Sequence, residues 1–117
     1  VFRTVIRWLP LSITPDHLSP EIPLVRYAAG KKICVVKTQK GIFAIEEKCP
    51  HNGFSLAAGK CTEDGEAIIC PLHRYAFDFK TGRSRTGAGG AAIVFPVEER
   101  EGQLFIGVEE REWGWFK

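Results

Sequence analysis

Histidine is scarce in this 117-residue chain, which carries only His17, His51 and His73. Long apolar runs are missing. No segment approaches the roughly 20 residues of a membrane-spanning helix, so no span is expected here. The apolar start, Val1 to Pro10, is interrupted by Arg3 and Arg7. It also lacks the small-residue cleavage site of a signal peptide. The chain does not begin with Met, which leaves an anchor or a second domain outside it open. A run of one charge is missing too. Sixteen Lys and Arg face fourteen Asp and Glu, for a formal charge of +2. These basic residues are scattered and trace no path for a phosphate backbone, so nucleic acid is not an expected partner. Repeats, low-complexity tracts and flexible linkers are absent, and the length suits one domain over 1–117. No window keeps a helical apolar period for three turns. Finally, no nucleophile–base pair stands out, which argues against a stand-alone enzyme.

What is present reads as short strands. Pro10, Pro15, Pro20 and Pro23 break up the first part and exclude a long helix there. Ile33 to Thr38 and Ile42 to Glu46 flank Gln39-Lys40-Gly41, a hairpin signal. Ala67-Ile68-Ile69 is a brief apolar run ending at Cys70, and Tyr75 to Phe79 leads into the turn Lys80-Thr81-Gly82. Ala91 to Glu98 and Gln103 to Val108 flank Arg100-Glu101-Gly102, with Glu98 to Glu101 as a solvated hairpin tip. The expected fold is all-β, an antiparallel sandwich or barrel.

Two short blocks carry chemistry: Cys49-Pro50-His51 and Cys70-Pro71-Leu72-His73. Each offers one thiolate and one imidazole. One C-x-H arises by chance; two Cys/His pairs in one small chain, both with Pro after the Cys, are a strong signal. Proline fixes φ and removes a donor, which stiffens a loop presenting two ligands, and Gly53 permits a tight turn. Tetrahedral zinc accepts two Cys and two His, so a zinc-stapled β binding module is one reading. Zinc fingers, however, group Cys with Cys and His with His. Mixed pairs suit a two-iron cluster better, each loop giving a Cys to one iron and a His to the other.

The pattern C-P-H … C-P-L-H resembles the Rieske signature C-x-H … C-x-x-H. Similarity extends to Gly53, to Tyr75-Ala76-Phe77-Asp78 and Thr81-Gly82, and to the hairpin from Ile93 to Val108, covering roughly Ile33 to Val108. The resemblance implies a Rieske fold: a β base carrying a small two-loop cluster-binding subdomain, about 48–80. It implies one [2Fe–2S] cluster, with Cys49 and Cys70 on the buried iron and His51 and His73 on the outer one. Respiratory Rieske proteins carry an extra cysteine in each loop, where this chain has Phe54 and Leu72. They also place a serine and a tyrosine hydroxyl against the cluster, where this chain has Tyr75 and Phe77. The chain is therefore similar to the Rieske-type ferredoxin branch, or to the small subunit of assimilatory nitrite reductases. Two departures stand out. Many relatives have Gly after the second His, where Arg74 stands. Relatives often have a proline-bearing loop where this chain has Gly87-Ala88-Gly89-Gly90.

The implied function is a cytoplasmic single-electron carrier, passing electrons from a flavoprotein reductase to a terminal oxygenase. The alternative is a subunit of a larger reductase. Ligand charge fits this role. Two thiolates and two neutral imidazoles balance an oxidised +2 core, so an electron enters a neutral site and the potential rises relative to four-thiolate ferredoxins. Rieske oxygenases add a mononuclear iron held by His and carboxylate; only His17 is left here, and it reads as a loop or cap residue. Leu56 and Leu72 are expected to shield the cluster. Cys34 reads as a small buried hydrophobe and Cys61 as a loop thiol. Both are expected to be reduced, with a disulfide between them unsupported by any motif. Trp113, Trp115 and Phe116 are expected to pack on the base or on a missing segment. Arg74 is read as a docking cation on the histidine tip, or else as a local partner of Asp78.

Overall fold

The computed structural model describes residues 1–72, 74–87 and 90–115. Ten strands follow one another: β1 (Phe2–Pro10), β2 (Leu24–Ala28), β3 (Lys31–Thr38), β4 (Gly41–Glu46), β5 (Lys60–Cys61), β6 (Ala67–Ile69), β7 (Ala76–Asp78), β8 (Val94–Phe95), β9 (Val97–Arg100) and β10 (Gln103–Trp113). Two single 3₁₀ turns, Pro15–His17 and Leu56–Ala58, are the only helical pieces among the described residues. None of them is long and apolar enough to cross a membrane. The all-β expectation holds.

Three antiparallel sheets result, in the orders β1-β10-β9, β2-β3-β4-β8 and β5-β6-β7. The β3–β4 hairpin lies where the sequence placed it, Thr38 facing Gly41 across the turn. The centre of β3, Ile33 to Val36, is apolar without a break because it is covered on both faces. Ile33 and Val35 enter one core with Leu11, Ile13, Ala44, Leu104 and Ile106. Cys34 and Val36 point the other way, into a second core with Ile45, Leu56, Ile68 and Phe77. Burying both faces replaces the polar–apolar alternation of a half-exposed strand with a continuous hydrophobic run. The second core is the floor beneath the candidate metal loops.

The apolar start interrupted by Arg3 and Arg7 is a nine-residue strand over Phe2–Pro10, paired from Phe2↔Trp113 to Pro10↔Phe105. Its outer part leaves the core behind, and Arg3–Glu112 (3.4 Å) and Arg7–Glu110 (2.9 Å) ion pairs cross it at the surface. Trp113 and Trp115 do not pack on the base. They are 58% and 85% exposed and meet each other edge to face at 5.7 Å. Phe116 lies outside the described residues. His17 does act at a cap: its Nδ1 accepts the Thr14 N–H at 3.0 Å.

Candidate metal centre

Cys49 and Cys70 sit at the ends of strand-like segments from different parts of the floor. Cys49 follows β4, where an antiparallel bridge between Lys48 and Ser55 closes its loop. The Leu56 N–H donates to the Glu47 carbonyl at 2.7 Å, and the Ser55 hydroxyl donates to the Glu47 carboxylate. Cys70 follows β6, and the Ile69↔Ala76 pair of β6 and β7 closes the second loop.

The two loops repeat one backbone device. In the first, the Cys49 N–H donates to the Phe54 carbonyl (2.8 Å) and the Cys49 carbonyl accepts the Gly53 N–H (2.8 Å). In the second, the Cys70 N–H donates to the Tyr75 carbonyl (2.8 Å) and the Cys70 carbonyl accepts the Arg74 N–H (2.9 Å). Each cysteine is thus clamped by the residues four and five positions on. The fourth residue must turn the chain back, and it does so in the left-handed region: φ is 79° at Gly53 and 58° at Arg74. Glycine adopts that conformation freely, whereas a residue with a Cβ is strained there. This accounts for the glycine that many Rieske proteins have at the Arg74 position.

Both thiols are buried, Cys49 at 1% and Cys70 at 0% exposure, and all four cysteines are free. The two side chains face each other. Burial pushes the Cys49 thiol up, the backbone N–H groups of His51 and Asn52 oppose this, and the neighbouring Cys70 pushes it up again. Those two N–H groups aim at the Cys49 sulfur, where a bound thiolate would accept them. Backbone donors leave no mark in side-chain identity, and the sequence reading missed them. His51 is exposed and lies edge-on to the Tyr75 ring at 4.8 Å. His73 lies outside the described residues, as do Ala88 and Gly89. Among the described residues no three His, Cys, Asp or Glu side chains converge as a site for a single ion. The structure therefore brings the two cysteines together below and sets His51 at the surface above them. A donor set of paired buried thiols with an imidazole further out fits a two-metal group with distinct inner and outer ends.

The surroundings are apolar. Leu56 and Phe77 are fully buried in the same core as both thiols. Leu72, by contrast, is 52% exposed at the tip of the second loop. Gly59 holds the floor together, since a Cβ there would meet the Ile69 carbonyl oxygen at 1.9 Å. Only glycine lets the turn after Leu56 approach β6 so closely.

An all-β base with a two-loop thiol and imidazole site defines an iron–sulfur protein of the Rieske kind. The family model of the Rieske [2Fe–2S] domain matches residues 8–96, and the chain belongs to that family. The family's cofactor is one [2Fe–2S] cluster. Among curated relatives, Ferredoxin CarAc of Metapseudomonas resinovorans is 30% identical over 105 residues, covering 89% of this chain and 96% of that protein. A chain in the solved complex of reduced oxygenase and oxidised ferredoxin of carbazole 1,9a-dioxygenase is 27% identical (TM-score 0.74, 85% of this chain and 91% of that one). The nitrite reductase small subunit from Mycobacterium tuberculosis is similar in fold, with a TM-score of 0.79 at 18% identity, covering 89% of this chain and 96% of that one.

Proposed function

We propose that this chain is a Rieske-type ferredoxin that carries single electrons from a flavoprotein reductase to a terminal oxygenase. Cys49 and Cys70 would hold the inner iron, and His51 and His73 the outer one, within a single domain over 1–117 whose cluster-binding part is about 48–80. The matched pair of clamped cysteine loops carries this reading. When bound, the cluster supplies a site that gains and loses one electron. The protein's own part is to fix two thiolates on an apolar floor, to aim the His51 and Asn52 N–H groups at one of them, and to leave an imidazole at the surface. Exposure of the His51 side lets a partner approach the outer end closely, while Leu56 and Phe77 keep water from the inner one.

The ferredoxin role is supported by the likeness to Ferredoxin CarAc, which matches over nearly its whole length. The nitrite reductase alternative rests on fold likeness alone. Free cysteines agree with a reducing cytoplasmic setting. The test is coulometric titration of anaerobically purified protein, followed by mixing with an NADH-driven flavoprotein reductase. Uptake of one electron per chain, with bleaching of the visible bands by the reductase, is the expected result. A colourless protein that takes up no electron would refute the proposal.

A further inference from the structure

Beside the second cysteine loop lies a groove of about 350 Å³, lined by Ala58, Gly59, Lys60, Ile69, Pro71 and Arg74. Its walls are largely apolar, and both of its cations are exposed. Neighbouring cations are committed elsewhere. Arg85 pairs with Asp64 at 2.9 Å and Glu66 at 3.8 Å, and Lys40 lies 3.8 Å from Glu66. Among the described residues, neither Lys60 nor Arg74 is within ion-pair distance of an acid. Asp78 is not paired with Arg74; its Oδ1 accepts the Lys80 and Thr81 N–H groups at 2.8 and 3.1 Å. The two loops, residues 48–54 and 70–75, contain Lys48 and Arg74 but no Asp or Glu. The nearest acids flank the first loop instead, where Glu47 accepts from Ser55.

Arg74 holds its place at a backbone cost. At φ 58° a glycine would be relaxed, as Gly53 is in the matching turn. A residue kept in a strained conformation at a functional site suggests that its side chain is what the position carries. Here that side chain is a cation one residue from a candidate outer ligand.

We infer that the groove between Lys60 and Arg74 receives a carboxylate side chain of the redox partner, with an adjacent apolar residue seated against Ile69 and Pro71. This rests on the electron-carrier reading and adds the partner's chemistry: an acidic patch presented to the cluster tip. Opposite charge speeds encounter more than it deepens affinity, and salt weakens it.

Small redox probes test the charge, and a peptide tests the groove. The chemically reduced holoprotein is mixed by stopped flow with hexacyanoferrate(III), an anion that takes one electron and becomes hexacyanoferrate(II). The same is done with hexaammineruthenium(III), a cation that likewise accepts one electron. Lys60→Gln with Arg74→Gln should slow the anion's reaction on the order of tenfold at low salt and speed the cation's. Arg74→Lys should retain the native rates. A changed driving force would move both probes the same way, so opposite movement isolates the field at the tip. The peptide acetyl-Leu-Glu-Leu-amide should slow the anion's reaction in the native protein, and its Gln counterpart should not. Unchanged rates in the double variant, or equal effects of the two peptides, would overturn the inference. Failure of the reduced native protein to pass an electron to either probe would instead overturn the carrier reading.

Discussion

Cys34 and Cys49 are both buried thiols, yet their surroundings set them apart. Burial pushes Cys34 up to about 12 from its ordinary 9.0, with Cys61 and Glu47 adding to the rise. No backbone N–H group offsets that shift, whereas His51 and Asn52 do so at Cys49. Cys34 therefore stays a neutral thiol that fills space in the second core. Between pH 9 and 12 the unfolded chain sheds the Cys34 proton and the folded chain keeps it. The unfolded state then binds fewer protons, so stability falls as pH rises, by up to about 1.4 kcal/mol per pH unit. Thermal melts from pH 8 to 11 should fall more steeply for the native protein than for Cys34→Ala; parallel curves would remove Cys34 as the cause. Cys49→Ser and Cys70→Ser should both yield protein without iron, measured by metal and sulfide analysis. A variant retaining full iron would dismiss that cysteine as a ligand. Phe77 is fully buried in the same core as both thiols and brings no hydroxyl. Hydrogen bonds to cluster sulfurs raise potential, so the midpoint should lie low in the Rieske range, roughly −150 to 0 mV. Phe77→Tyr should raise it in voltammetry if the new hydroxyl reaches a sulfur. A native midpoint above about +200 mV would contradict this.

The paired cysteine loops are the element on which the site depends, and their symmetry has an energetic consequence. Gly53 and Arg74 perform the same turn, one relaxed and one strained. Arg74→Gly should stabilise the protein by roughly 1 kcal/mol, and Gly53→Ala should destabilise it by about the same. Denaturation midpoints of the two variants would move in opposite directions; movement in one direction would separate the turns. Little of this element could be read in advance. The C-x-H and C-x-x-H spacings marked two candidate ligand pairs, because side-chain identity records them. The clamp itself is made of backbone N–H and carbonyl groups, which any sequence possesses.

Across the whole molecule, a tight hairpin was legible and more distant pairings were not. Gln39-Lys40-Gly41 marked the β3–β4 hairpin, whereas the short runs of β6 and β7 were visible but their pairing across the second cysteine loop was not. β1 pairs with β10 across the full length of the chain. Its outer half is exposed on both faces, so no alternation marks it, and Arg3 and Arg7 look like interruptions until their partners Glu112 and Glu110 are found. The last hairpin was foreseen only to Val108 because β10 runs on to Trp113 in that same exposed ribbon. Pro96 divides the preceding stretch into β8 and β9, sending one to β4 and the other to β10. The molecule that results places two clamped cysteine loops above a doubly buried strand. If Cys49, Cys70, His51 and His73 share one [2Fe–2S] cluster, nitrogen hyperfine spectroscopy on the reduced, anaerobically purified protein shows it most directly, with iron and sulfide determined on the same sample. The expected result is two irons and two sulfides per chain and two directly coordinated nitrogens, one of them lost in His51→Cys. One zinc without iron, or a cluster showing no coordinated nitrogen, would contradict it.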